Sequence, residues 1–239
     1  MVVERGPDGC KVIRAWEGLT AVCIASGPSL TKEQVDRVQK AQAEGVKVGV
    51  VNDNYLIAPW ADLLYFADLR WWNWHKEGLP KRWPWASFSA DEVRNAFVAF
   101  KGQKISIDNG GNSVTDKSVC VLKNHGGTGL SDNPTGIHTG SNSGYQLLNI
   151  MYLAGVKKII LVGYDMKFDG NRSHSHDGHK IKVHECAYKG FGRNFSTTKG
   201  QLEKAGVQVL NATPGSTISA FPKVSLEEAL KDACVQSAA

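Results

Sequence analysis

The chain has 239 residues, 42% of them hydrophobic and 21% charged, with 28 Lys and Arg against 23 Asp and Glu for a formal net charge of +5. That composition suits a globular protein with a sizeable core and excludes a low-complexity or disordered chain. No run approaches the roughly 18 uninterrupted apolar residues of a membrane span, and the mild positive balance permits an anionic ligand or a nucleic-acid partner without requiring one.

The first predicted strand is Ala21–Ala25, an apolar run of the kind found in buried parallel sheets. It stops at Ser26-Gly27-Pro28-Ser29, a tight turn before a helix expected over Leu30–Gly45, with Thr31 and Gln34 spaced as a capping box. A strand, a glycine turn and a helix start predict free amides and an anion site there. The second strand, Val46–Val51, closes on Asn52-Asp53-Asn54, and a short helix is expected over Tyr55–Trp60. The third, Asp62–Ala67, closes on Asp68 and is followed by a Trp-rich helical turn over Leu69–His75. Trp71 and Trp74 have the spacing either to stack a base or sugar or to pack the helix on the sheet.

Residues 76–118 are poorly periodic, with short strand candidates at Lys104–Asp108 and Ser118–Leu122, and the stretch 76–138 reads as an irregular insertion. Lys123–Thr139, rich in Gly, Asn, Ser and Thr, suggests a substrate loop or a flexible lid. Thr139-Gly-Ser-Asn-Ser-Gly144 opens a helix over Ser141–Gly155, giving a second anion site at its N-terminus. It is neither a Walker A loop nor a GxGxxG fingerprint. Lys157–Val162 is a strong buried strand ending at Gly163-Tyr164-Asp165, and a His-rich loop spans about 167–190. Phe191–Gly206 reads as a helix, Val207–Asn211 as the last strand, and Ser225–Ala233 as a C-terminal helix capped by Ser225, before a frayed tail at Val235–Ala239.

Alternating strands and helices predict an α/β, Rossmann-like, mostly parallel sheet flanked by helices, in a single domain over 1–239 with its core at about 20–215. The five scattered cysteines, without a CxxC pair, and an N-terminus without an apolar signal segment predict a cytoplasmic protein. In a parallel sheet the polar strand ends converge on one edge, where they form a nucleotide pocket. In the His-rich loop, which holds His174, His176, His179 and His184, a histidine can serve as general base for a hydroxyl near neutral pH. His174, His176, Asp177 and His179 could instead ligate a metal, or the loop could simply be solvated.

The segments Ile24–Leu30, Val51–Asn54, Tyr65–Asp68, Thr139–Gly144 and Ile159–Met166 resemble, in this order, a superfamily containing the archaeal-type 6-hydroxymethylpterin diphosphokinases and the bacterial sialyltransferases. The likeness is to phage and prophage proteins of that group, which share the Asp68-Leu-Arg-Trp-Trp72 segment, Gly163–His179 and the Asn211–Pro222 ending. The resemblance implies a nucleotide-dependent transferase. On the sialyltransferase side it implies a glycosyltransferase with nucleotide held by Ser26, Gly27, Ser29, Asn52, Asn54, Asp68, Ser141, Asn142 and Ser143, and with His174, His176 and Asp165 at the chemistry. Arg70, Trp71 and Tyr164 are then the candidates for touching substrate. On the diphosphokinase side it implies Mg²⁺ and ATP handled by Asp53, Asp68 and Asp165. A protein that only sequesters a nucleotide is the third reading. The expected partners are a nucleotide or nucleotide sugar and an acceptor that is a modified DNA base, a glycan or a small heterocycle. A phage origin would place the protein in a bacterial host's cytoplasm, and the oligomeric state is left open.

Overall fold

The computed structural model describes residues 1–111, 113–179, 184–231 and 233. An antiparallel hairpin, β1 (Val3–Gly6) and β2 (Gly9–Val12), precedes the first strand expected from sequence, which is β3 (Thr20–Ile24). Then follow α1 (Lys32–Ala43), β4 (Lys47–Val51), a 3₁₀ helix (Asn52–Leu56), β5 (Leu63–Tyr65) and α2 (Leu69–Glu77). A second small hairpin, β6 (Lys81–Trp83) and β7 (Ala86–Phe88), leads to α3 (Ala90–Ala99). The chain continues through β8 (Gln103–Asp108), β9 (Val119–Gly126), β10 (Gly136–His138), α4 (Ser143–Leu153) and β11 (Lys158–Val162). It ends with α5 (Glu185–Ser196), α6 (Lys199–Lys204), β12 (Gln208–Asn211) and α7 (Leu226–Leu230).

The main sheet has eight strands in the order β10-β9-β8-β5-β4-β3-β11-β12, every neighbouring pair parallel. The α/β, Rossmann-like fold class therefore holds. The stretch 76–138 is more regular than its sequence suggests, since it carries the small hairpin, α3 and three strands of the sheet. The strand candidates Lys104–Asp108 and Ser118–Leu122 are β8 and β9, while the three-residue β10 is too short to show a period. The expected helix over Phe191–Gly206 is two helices, the first beginning earlier, at Glu185. The frayed tail expected at Val235–Ala239 lies outside the described residues.

The burial pattern explains why the central strands read so clearly. β3 is buried on both faces: Ala21, Cys23 and Ala25 join the core on one side of the sheet, Val22 and Ile24 the core on the other. β11 splits the same way, Ile159 and Leu161 against Ile160 and Val162. Burying each such side chain stabilises the fold by roughly 1.5–3 kcal/mol before entropy is counted. The apolar helix α4 covers the first face, and α1, α2 and α3 supply apolar residues to the second. Among the described residues no helix is long and apolar enough to cross a membrane. The topology places the functional edge. From β3 the chain steps one way through β4 and β5, while β11 flanks it on the other side, so the crossover direction reverses between β3 and β11. Open α/β sheets bind ligands at such a switch point, beyond the carboxyl ends of the strands.

Candidate functional site

A cavity of about 100 Å³ lies at that switch point, walled by the turns after β3, β4 and β11 and by the start of α4. Ser26, Gly27, Asn52, Asn142, Ser143, Asp165 and His174, far apart in sequence, all line it. It opens beside a larger hollow of about 500 Å³, with Met166, Lys167 and Tyr188 lining both. Lys189 and Arg193 of α5 and Thr217 also line that hollow, and among the described residues no carboxylate does.

The turn after β3 is built differently from a free anion cradle. Gly27 N–H donates to the Gly163 carbonyl (2.8 Å), and Ser29 N–H donates to Asp165 Oδ1 (3.2 Å). Leu30 N–H donates to the Gly27 carbonyl, and Thr31 N–H donates to Gln34 in the capping box that opens α1. Helix α1 starts at Lys32, so Pro28 precedes it and the expected first-turn amides are not at the pocket. The amides from Gly27 to Thr31 are thus spent within the protein, which corrects the expectation of an anion site there. The turn instead contributes its closeness to Asp165. A Cβ on Gly27 would stand 1.9 Å from Asp165 Oδ2 and 2.4 Å from the Gly163 carbonyl oxygen, so a side chain cannot be placed there. Ser29 Oγ donates to Asp165 Oδ2 (2.9 Å). Burial pushes the Asp165 pKa up, with the Ser29 hydrogen bonds opposing it.

The free amides are at α4. Asn142 caps the helix by accepting from Tyr145 N–H (3.2 Å), while the N–H groups of Ser143 and Gly144 have no acceptor among the described residues. A helix N-terminus with two open amides attracts an anion, and Lys167 also lines the cavity. Ser26 is 8% exposed, and its Oγ has no hydrogen-bond partner within the protein. A buried hydroxyl left unpaired is costly, so the cavity carries a polar group that a ligand can satisfy.

The His-rich loop closes the cavity's other side. Ser175 N–H donates to the Ser26 carbonyl (2.9 Å), and Tyr188 Oη donates to the Ser173 carbonyl (3.0 Å), so the loop is pinned both to the turn and to α5. His174 Nδ1 lies 2.8 Å from Ser173 Oγ, and its ring stacks on His179 at 4.0 Å. Burial, with His179 and His176 nearby, pushes the His174 pKa down to about 3, so the imidazole is neutral at pH 7.

His176 has another role. Its Nε2 lies 3.3 Å from Asp53 Oδ2, and Asp53 Oδ1 is met by His75 Nε2 (3.0 Å), Lys81 Nζ (3.1 Å) and Trp71 Nε1 (3.3 Å). The ionisable members of this group are each 1–2% exposed at their side chains. Burial alone would raise the Asp53 pKa, but His75, His176 and Lys81 outweigh it and hold the carboxylate ionised. Asp53 is therefore the counter-ion of a buried cluster joining the end of β4 to α2, the small hairpin and the His-rich loop.

Several expected site residues do not reach the cavity. Asp68 caps α2 by accepting from Arg70 N–H (2.8 Å) and pairs with the Arg70 guanidinium, so both are engaged at an exposed helix start. Trp71 is core, stacked on His75 with ring centroids 3.7 Å apart and on Phe66 at 4.7 Å, which settles its reading for packing. Tyr164 is fully buried and donates to the Gly144 carbonyl (3.1 Å), holding the start of α4 from below. Asn54 is fully buried, with Nδ2 donating to the Ile24 carbonyl (3.2 Å). Ser141 is exposed with φ of 57° and stands outside the lining.

The carboxylates read as Mg²⁺ ligands do not fit a shared ion: Asp53 is enclosed by Lys81, His75, His176 and Trp71, Asp68 is a cap, and Asp165 is bound by Ser29. Among the described residues no group of three or more His, Cys, Asp or Glu side chains is placed to hold a metal, the 174–179 cluster included. Lys167, Tyr188, Lys189, Arg193 and Thr217 were not singled out from sequence. The one signal for them is that Lys167 lies two residues past the strand-end Asp165.

No family model matches this sequence, and no curated protein matches it either. Among solved structures, the MAf glycosyltransferase from Magnetospirillum magneticum AMB-1 aligns over 88% of this chain with a TM-score of 0.52 and 13% identity. The chain spans 34% of that protein's length. At that identity the likeness establishes a shared fold, and this chain has a glycosyltransferase-like fold. Two structures of the pneumococcal exo-β-D-N-acetylglucosaminidase StrH align over 83% of this chain and 54% of theirs, at 10% and 11% identity, with TM-scores of 0.21, too distant to bear on the question.

Proposed function

We propose that the protein is a nucleotide-dependent glycosyltransferase that moves a sugar from a nucleotide-sugar donor to a hydroxyl acceptor, with His174 as general base. One observation carries this reading. The switch-point cavity is lined together by the start of α4 with its open amides, by Lys167 and by a neutral histidine. The cavity alone has room for a phosphate group, and the adjoining basic hollow has room for the rest of a nucleotide. The glycosyltransferase-like fold is consistent with the same class of reaction.

In this reaction His174 takes the proton of the acceptor hydroxyl as its oxygen bonds to the anomeric carbon. The bond from that carbon to the leaving phosphate oxygen breaks, inverting the centre. The charge that grows on the departing phosphate is met by Ser143 N–H, Gly144 N–H and Lys167. Asp165 accepts hydrogen bonds from donor hydroxyls, and Ser26 Oγ gains the partner it lacks. A base with a pKa near 3 is weak at neutral pH, and the negative charge of a bound nucleotide beside it raises that value. Base strength is thereby coupled to donor binding.

No observation on this site favours the diphosphokinase reading, since its three carboxylates serve other partners. The test is turnover against nucleotide sugars of the CMP and UDP types, with and without Mg²⁺, for the wild type and His174→Ala. Loss of about 10²–10⁴-fold in turnover with nucleotide affinity retained supports the assignment. Nucleotide binding with no transfer in the wild type, and no effect of the substitution, would leave a sequestering protein.

A further inference from the structure

The side of the His-rich loop that faces away from the nucleotide cavity borders a second cleft, of about 180 Å³. His174 lines both, so the two hollows adjoin at this residue. The second cleft is formed where the β6–β7 hairpin meets the loop. Asp177 N–H donates to the Arg82 carbonyl (2.8 Å) in an antiparallel bridge, and Lys81 Nζ donates to the Gly178 carbonyl (3.1 Å). That junction is anchored from below by the buried Asp53 cluster, which holds both Lys81 and His176.

The chemistry of the cleft is specific. Arg82 and Arg172 both line it. Arg172 pairs with Asp169, whereas the Arg82 guanidinium has no ion-pair partner among the described residues. Asp177 adds one exposed carboxylate to the rim. Two lining side chains are almost wholly buried and unsatisfied: Ser175, 3% exposed, at Oγ, and Trp83, 2% exposed, at Nε1. A buried indole N–H and a buried hydroxyl without partners cost free energy unless an acceptor is seated against them. A guanidinium with no carboxylate partner recognises carboxylate or phosphate through a fork of N–H donors.

We propose that this cleft is the acceptor subsite and that it takes a small polyhydroxy compound bearing a carboxylate or phosphate oxyanion. The assignment of the cleft to the acceptor rests on the transferase reading above. The cleft has room for one sugar-sized ring. Its oxyanion lies against Arg82 and Arg172, and a free hydroxyl is turned to His174. His174 then removes that hydroxyl's proton where the two hollows meet, and the donor's anomeric carbon is presented to the acceptor oxygen at the same junction. The acceptor oxygen gains the carbon, and the donor phosphate leaves with the bonding electron pair.

The test titrates the full chain with glucuronate, glucose 6-phosphate and glucose by calorimetry at physiological salt, for the wild type, Arg82→Gln and Arg172→Gln. CMP and UDP are titrated in parallel. Arg82 is exposed and unpaired, so its substitution leaves the fold intact. The expected result is binding of one or both acids, with glucose at least about tenfold weaker, and about a tenfold loss for Arg82→Gln, the cost of one charge-assisted contact. CMP and UDP affinities stay unchanged in that variant. Binding of glucuronate alone assigns a carboxylate, and binding of glucose 6-phosphate alone a phosphate; either supports the proposal. Equal binding of glucose, failure of both acids, or an unchanged affinity in Arg82→Gln overturns it. If the acids bind and neither nucleotide does, the oxyanion cleft stands and the transferase reading fails. If the nucleotides bind and the acids do not, this proposal fails alone.

Discussion

Replacing Asp53 by Asn tests whether it is a structural counter-ion or a ligand for substrate or metal. Its carboxylate is the one anion facing Lys81, His75 and His176, all within 3.0–3.3 Å and all buried. The amide keeps the shape but leaves the Lys81 ammonium, 2% exposed, without a counter-charge. Breaking a buried ion pair from one side costs about 3–5 kcal/mol. Typical domains have only about 5–15 kcal/mol to lose. At roughly 2–4 °C per kcal/mol for a chain of this size, the melting temperature falls by about 10 °C. Urea unfolding of Asp53→Asn, Lys81→Met and the double variant measures this directly. The double variant should recover a good part of the loss, because it removes the orphaned cation together with its partner. A stability change under about 1 kcal/mol for Asp53→Asn, accompanied by loss of Mg²⁺-dependent nucleotide binding, would refute the reasoning and return Asp53 to the metal role.

Three further outcomes are expected. Gly27→Ala drives a methyl against Asp165 and the Gly163 carbonyl; it should cost about 1–3 kcal/mol and abolish nucleotide binding, read by urea unfolding and calorimetry. Stability should fall as pH drops below about 6.5, with a slope of up to about 1.4 kcal/mol per pH unit for each histidine. The sign follows from His174 and His176, whose pKa values are lowered by burial, so the unfolded chain takes up protons that the folded chain refuses; a denaturant series from pH 8 to pH 5 checks it. The His174 ring resonances, followed by NMR titration, should report a pKa that rises on adding CMP or UDP, and a value that ignores both nucleotides contradicts the coupling of base to donor.

The fold was legible where burial is continuous. β3, β4 and β11 are apolar on both faces, so an unbroken run of Val, Ile, Ala and Leu betrays them, and their polar ends mark the sheet edge. The hairpins and β10 were harder to see because strands of three or four residues lack either signature. For the site, residue type located the edge but not how its groups are used. Whether the amides of Gly27 and Ser29 are free depends on Gly163 and Asp165, which the chain supplies more than a hundred residues later. Asp53 and Asn54 adjoin Asn52 in sequence, yet Asn52 lines the cavity while they turn into the core to meet Lys81, His176 and the Ile24 carbonyl. In the Trp-rich segment Trp71, Trp72 and Trp83 all belong to one core cluster, the first two from α2 and Trp83 from the hairpin beside the His-rich loop.

The central claim is that the hollow between β3 and β11 holds a nucleotide by the amides of α4 and by Lys167. Calorimetric titration with CMP and UDP, for the wild type and Lys167→Met, tests it most directly. The account predicts that one of the two binds, that Lys167→Met weakens it by about tenfold, and that salt weakens both. Binding of neither nucleotide, or identical affinities for the wild type and Lys167→Met, would contradict it.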